Sequence, residues 1–540
     1  MLSQMEKYDF ISETLKDSLQ ATELDLRYSP QSHRDGIATY FRGYLDKYMK
    51  DWIQNNPKPD GEKYNLYGDG LKVYTTIDSR MQKYAEDAVQ QHMPRLQAEF
   101  DHQNTPDRNP TAPFLDLKED EIEDLMNKSI YRSERWRHMK YDLKKDKKDI
   151  IASFNVPTEM TIFSWKDGKA HSIDTIMKPM DSMRYYKRFL RTGMMSMDPQ
   201  TGHVKAWVGG VNYKSFQYDH VTGTRQVGST FKPFVYATAI DQLHLSPCDE
   251  LPNTQITIEK GKYGLLKPWT PKNSDGSYGG TRTLKNALAN SINTITARLM
   301  DKVGPQPVVD LVNKLGVEAD IPVVPSIALG TANLSVKEMV GAYAAFANKG
   351  VYTKPVMVTH IEDKNGTILY QFTPETRDVI SEETAYVTVK LMEGVTQGGS
   401  GVRLRTKGAD AYRADYREII TGYPYQFKNP IAGKTGTTQN QSDGWFMGMV
   451  PNLVTGVWVG AEDRAVHFKT TKYGQGAAMA LPIWGVYMKS CYADEDLNIS
   501  KSSFEKPKNL SIEVDCENYN PDDNSNPDTP GLEVPDELDF

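Results

Sequence analysis

Residues able to do covalent chemistry fall in three short stretches of the chain, in a definite order. The first is Arg225-Gln226-Val227-Gly228-Ser229-Thr230-Phe231-Lys232-Pro233, which sets a hydroxyl and an amine three residues apart where a helix is expected to begin. On a helix that spacing puts Ser229 and Lys232 on one face, so a nucleophile stands beside its own base. Gly228 permits a sharp turn into the helix. The following Phe234-Val235-Tyr236-Ala237-Thr238-Ala239-Ile240 is apolar enough to be its buried body. Pro233 fits only in the first turn, where its missing N–H has no intrahelical partner anyway. The free N–H groups of such a helix start can hold an anion.

The second stretch, Asn290-Ser291-Ile292-Asn293, adds a hydroxyl and an amide after the helical Leu284-Lys285-Asn286-Ala287-Leu288. The third, Lys434-Thr435-Gly436-Thr437-Thr438, adds a cation and hydroxyls on a predicted strand. Taken singly, each has an ordinary structural explanation. Ser229 can cap a helix, Ser291 and Asn293 can cap or be buried polar groups, and Gly436 can mark a bulge. Ser-x-x-Lys also recurs at Ser503-Phe504-Glu505-Lys506, and Ser-x-Asn at Ser153-Phe154-Asn155. Context separates the copies: no apolar helix follows Ser503, and Ser153 precedes Ser229. The ordered trio is therefore far more specific than any member.

Several elements must position these groups. Gly193-Met194-Met195-Ser196-Met197-Asp198 reads as a strand, Pro199-Gln200-Thr201-Gly202 as a turn, and His203 to Gly210 as the returning strand. Ile431–Thr438, Trp445–Val450 and Gly456–Gly460 read as three more, together an antiparallel sheet. Residues 281 to 350 are mostly helical, with Gly350 as a stop signal. Upstream, Tyr40-Phe41-x-x-Tyr44-Leu45-x-x-Tyr48-Met49 forms one apolar helical stripe. Gly70 to Asp78 is a strand leading into a helix capped by Asp78 or Ser79. From about 93 to 190 the composition changes to charged helices and one hairpin turning at Lys166-Asp167-Gly168, read as an inserted accessory module. Beyond residue 501 the Asp-, Asn- and Pro-rich composition predicts a disordered acidic tail.

Composition limits the function classes. The chain has 540 residues, 39% hydrophobic and 25% charged, with a formal net charge of -7, which argues against nucleic-acid binding. It contains no apolar run of 18 residues and no basic-then-apolar leader. Cys248, Cys491 and Cys516 are too few and scattered for a disulfide framework or zinc site, and are expected to be buried or incidental thiols. Histidines form no metal-ligand pair, so neither a metal nor a cofactor is expected.

Ser229-Thr230-Phe231-Lys232, Ser291-Ile292-Asn293 and Lys434-Thr435-Gly436 resemble the three motifs of penicillin-binding proteins and serine β-lactamases. Ile292 departs from the usual Ser-Asp-Asn but leaves hydroxyl and amide in place. Tyr74-Thr75-Thr76-Ile77-Asp78, Asp198-Pro199-x-x-Gly202-x-Val204-x-Ala206, Arg225-Gln226-x-Gly228-Ser229 and Asp443-Gly444-Trp445-Phe446-x-Gly448 extend the resemblance to the bifunctional class A members, over most of residues 70 to 490. It implies an α+β transpeptidase fold, with a central antiparallel sheet flanked by helices, built from residues 70–92 and 191–500. Residues 1–69 would be the linker after a glycosyltransferase domain that, with its membrane helix, is absent here.

By the same resemblance, Ser229 is the nucleophile, Lys232 its base and Ser291 a proton relay. Asn293 positions Lys232 and substrate, and Lys434, Thr435, Gly436 and Thr437 form the carboxylate and oxyanion site. The implied reaction is D,D-transpeptidation of peptidoglycan stem peptides, with β-lactams as acylating inhibitors. Implied partners are cell-wall synthesis proteins at the insert, and the implied location is the periplasmic side of the inner membrane. A D,D-carboxypeptidase, a β-lactamase or a non-catalytic β-lactam sensor are the rivals. The lack of a Glu-x-x-Leu-Asn pattern between the second and third motifs weighs against a β-lactamase.

Overall fold

Five strands whose residues alternate between two buried faces form the centre of the molecule. They are β1 (Arg191–Met197), β2 (Val204–Val208), β3 (Ala432–Thr437), β4 (Asp443–Val450) and β5 (Leu453–Gly460). The computed structural model describes residues 1–22, 36–405, 425–517 and 519. The sheet is antiparallel throughout, in the order β3-β4-β5-β1-β2. Met195, Trp207, Trp445, Met447 and Trp458 point to one face, and Met194, Ala206, Val208, Phe446 and Val457 to the other. Both faces are covered by helices, so the strands read as nearly continuous apolar runs. Helices Lys232–Leu243, Asn293–Val303 and Val336–Ala347 share the first core, and Ser79–Gln103 with Leu481–Ala493 the second.

The expected strands and caps are present with small shifts of boundary. Asp78 caps Ser79–Gln103, accepting from the N–H groups of Arg80 and Met81. The apolar stripe becomes helix Thr39–Asn55, burying Tyr40, Phe41, Met49, Trp52 and Ile53. Strands Thr158–Lys166 and Lys169–Met177 pair across the predicted Asp167-Gly168 turn. Residues 1–36 and 37–540 are two compact units, and the first holds helices Leu2–Lys7 and Glu13–Ala21. The Tyr40 hydroxyl donates to the Phe216 carbonyl at 2.6 Å, so part of the expected linker packs within the larger unit.

Three expectations are corrected. The accessory module does not begin at residue 93, because Ser79–Gln103 is one helix that carries Met93, Leu96 and Phe100 into the second core. Nor is the tail unstructured from 501. Phe504 and Ile512 are buried in the first core, the Ile512 N–H donates to Glu383 at 2.9 Å, and the Ser246 hydroxyl donates to the Glu513 carbonyl at 2.6 Å. Residues 520–540 lie outside the described residues. Finally, Cys248 and Cys516 are not incidental thiols: they form a disulfide across 268 residues that fastens this C-terminal segment to the body. Cys491 is a free, buried thiol, as expected.

Candidate active site

Ser229 lies in a single tight turn, Gly228–Phe231, that runs directly into helix Lys232–Leu243 with Pro233 in its first turn. Gly228 has φ +54°, and a Cβ built there would stand 2.9 Å from the Thr437 carbonyl oxygen. Across the same gap, a Cβ on Gly436 would stand 2.7 Å from the Val227 carbonyl oxygen. Both positions need glycine because the Ser229 turn and β3 touch backbone to backbone. The turn is held on both sides. Trp445 Nε1 donates to the Gln226 carbonyl at 2.8 Å, and the Tyr343 hydroxyl to the Thr230 carbonyl at 2.5 Å. Neither side chain had been given a role from sequence, since nothing local marks a tyrosine on a buried helix as reaching back to a turn.

Lys232 is fully buried and its amine meets three oxygens: the Ser291 carbonyl at 2.6 Å, Asn293 Oδ1 at 2.7 Å and Ser291 Oγ at 3.2 Å. Lys434, also fully buried, donates to Ser291 Oγ at 3.0 Å and to the Thr435 carbonyl at 3.0 Å. Ser291 thus joins the two amines, and it does so from a φ of +58°, a conformation unusual for a residue with a Cβ.

Burial, and secondarily the charge of Lys434, hold the Lys232 amine well below its ordinary value of 10.5. Burial pushes Lys434 down to about 7. A neutral amine has two N–H donors and one lone pair. Donations to the Ser291 carbonyl and to Asn293 use both N–H groups, so the lone pair, the site that can take a proton, is left with the longest of the three contacts, to Ser291 Oγ at 3.2 Å.

Lys232, Ser291, Asn293 and Lys434 are therefore brought into one hydrogen-bonded cluster. Ser229 is half-buried one turn before Lys232, and among the described residues its hydroxyl has no hydrogen-bond partner. Thr435, Gly436 and Thr437 follow Lys434 along β3 beside the turn. The Thr435 hydroxyl is hydrogen-bonded to Ser400 at 2.6 Å, and Thr437 Oγ1 accepts from the Gly476 N–H at 3.1 Å. The stretch Gly398–Gly401 lies against β3 through this Ser400 bond. Ser503 and Ser153 stand apart from the cluster. Ser503 is exposed next to the buried Phe504, and Ser153 bonds the Ile150 carbonyl at 2.6 Å at a helix end.

A hydroxyl at a glycine-formed turn, a desolvated amine one helical turn on and a second amine linked through a serine have the make-up that serine acyl transfer requires. Residues 192–481, more than half of the chain, match the penicillin-binding protein transpeptidase domain, and residues 109–190 match the penicillin-binding protein middle domain. The chain belongs to the penicillin-binding protein transpeptidase family, as a class A transpeptidase region. It is 31% identical over 468 residues to penicillin-binding protein 1A of Aquifex aeolicus, covering 84% of this chain and 58% of that protein. It is 28% identical over 460 residues to penicillin-binding protein 1A of Neisseria lactamica, covering 79% and 54%. The chain thus spans little more than half the length of these relatives. Its fold is like that of penicillin-binding protein 1A from Haemophilus influenzae, with a TM-score of 0.62 at 22% identity, over 94% of this chain and 77% of that one. PonA1 of Mycobacterium tuberculosis in complex with penicillin V gives a TM-score of 0.54 at 21% identity, over 88% and 96%. Among the described residues no helix is long and apolar enough to cross a membrane.

Proposed function

We propose that the chain is a serine D,D-transpeptidase that cross-links peptidoglycan stem peptides through an acyl-enzyme on Ser229. The observation that carries this reading is Lys232, buried, depressed in pKa and held by Asn293 and Ser291 one turn after Ser229. Lys232 takes the Ser229 proton as Oγ attacks the carbonyl between the two terminal D-alanines. The C–N bond breaks, and the proton passes by way of Ser291 to the departing D-alanine amine. An amine of a neighbouring stem then attacks the ester, forming the new amide and restoring Ser229.

Lys434, Thr435 and Thr437 hold the donor's terminal carboxylate, with the Ser400 bond setting the Thr435 hydroxyl. The N–H groups of Ser229 and Thr437 hold the developing oxyanion, and the backbone contact at Gly228 keeps those two segments adjacent. The Cys248–Cys516 disulfide suits an oxidising compartment, which supports an extracytoplasmic location at the cell envelope.

The test is to incubate the chain with a stem pentapeptide and an acceptor stem carrying a free side-chain amine. One D-alanine should be released for each cross-linked dimer formed. D-alanine release with only the hydrolysed tetrapeptide as product would make it a carboxypeptidase, and no release would overturn the enzyme reading.

A further inference from the structure

Helix Asn293–Val303 starts at the middle motif, yet its N-cap residue, Ile292, makes no capping bond. The Ile292 side chain instead packs against the first core. The helix is capped from elsewhere in the chain. Asn273 Oδ1 accepts from the N–H of Asn293 at 3.0 Å and from that of Thr294 at 3.1 Å, satisfying two of the free donors of the helix start.

Asn273 is itself fixed. It is buried, and its Nδ2 donates to Asn253 Oδ1 at 2.8 Å and to the Ser277 carbonyl at 2.8 Å. Asn253 Oδ1 also accepts the Thr294 hydroxyl at 2.8 Å, which closes the network on the same helix end. The adjacent Lys272 carbonyl accepts from Asn293 Nδ2 at 2.7 Å, and this turns the amide so that Oδ1 faces Lys232 at 2.7 Å.

We infer that Asn273 is a positioning residue for acylation: it replaces the cap that an isoleucine at 292 cannot supply, and so sets Asn293 against the Lys232 amine. The inference rests on the proposed acyl-enzyme reading. Asn273 touches neither the Ser229 hydroxyl nor either amine, so it acts through Asn293. A displacement of about 1 Å at such a contact costs on the order of 100-fold in rate.

The test measures acylation of the full chain by a fluorescent penicillin, separating initial binding from the covalent step, in the wild type, Asn273→Ala and Asn273→Asp. Asn273→Asp keeps the acceptor oxygen for the two N–H groups but sets its second oxygen against Asn253 Oδ1 and the Ser277 carbonyl, so it costs stability while preserving the cap. The expected result is a covalent step slowed about 10- to 100-fold in Asn273→Ala, with initial binding within about twofold and a folded thermal transition. Asn273→Asp should acylate faster than Asn273→Ala, at a lowered thermal midpoint. Wild-type acylation in Asn273→Ala, a loss confined to initial binding, an Asp variant as slow as the Ala variant, or loss of folding in both variants would each overturn the positioning role. Absence of acylation in the wild type would instead defeat the acyl-enzyme reading itself.

Discussion

Replacing Ser291 with alanine removes one oxygen that serves two buried amines. Its Oγ lies 3.0 Å from Lys434 Nζ and 3.2 Å from Lys232 Nζ. The two nitrogens therefore stand within about 6 Å of each other, close enough for one charge to lower the pKa of the other. After the substitution, among the described residues, Lys434 keeps the Thr435 carbonyl, while Lys232 keeps the Ser291 carbonyl and Asn293. If Ser291 only held Lys434, losing a hydrogen bond to a charged group would cost about 1.5–3 kcal/mol, or on the order of 10- to 100-fold in rate. A proton relay adds a general acid–base contribution of roughly 100- to 10,000-fold. The proposed mechanism places Ser291→Ala in the upper range, with acylation by a fluorescent penicillin slowed at least about 100-fold and the thermal midpoint close to wild type. Ser291→Ala acylated at Ser229 within about threefold of the wild-type rate would refute the relay.

Four further outcomes are expected. The second-order acylation rate should fall as pH drops, because Lys232 must be neutral. It should also fall as pH rises through about 7, where free Lys434 loses the charge that holds a carboxylate; a rate flat from pH 5 to 10 would contradict both assignments. Because Lys434 titrates at about 7 folded and 10.5 unfolded, the unfolded chain binds more protons over that interval, so stability should rise with pH across it. Denaturant midpoints at pH 7 and 9 check this, and the rise should shrink in Lys434→Met. Gly436→Ala should push the Val227 carbonyl, 2.7 Å from the new Cβ, and with it the Ser229 turn. The expected cost is about 1–3 kcal/mol of stability and a loss of acylation, read by urea unfolding and penicillin labelling. Cys516→Ser opens a loop of 268 residues and should destabilise the chain by up to about 5 kcal/mol, with labelling of folded protein unchanged. An unchanged urea midpoint would show that the disulfide contributes nothing.

Local signals carried most of the sheet and little of the site's interior. Strands such as Trp445–Val450 alternate between two apolar faces, and the Asp78 cap is a contact between neighbours, so both are legible in a single sequence. The three motifs pointed to Lys232, Ser291, Asn293 and Lys434, which the fold does bring into one hydrogen-bonded cluster, because their order along the chain restricts chance matches. Their convergence was not legible, since the Ser291 bridge joins residues 59 and 143 positions away. The C-terminal segment was misread for the same reason. Phe504 stands alone in a polar stretch and Leu510-Ser511-Ile512-Glu513-Val514 alternates only briefly, and what fixes the segment is Glu383, Ser246 and a disulfide partner remote in sequence. An odd count of three cysteines leaves such a pairing undetermined. Asn273 gave no signal either, because an asparagine in a glycine-rich loop looks like an ordinary turn residue.

The central claim is that Ser229 is the acylated nucleophile, and intact-protein mass spectrometry after penicillin treatment tests it most directly. The wild-type chain should gain the mass of one penicillin, with the adduct located by peptide mapping on the segment holding Ser229. Ser229→Ala should gain none, while Ser503→Ala behaves as the wild type. An adduct that persists in Ser229→Ala, or its absence from the wild type, would contradict the account.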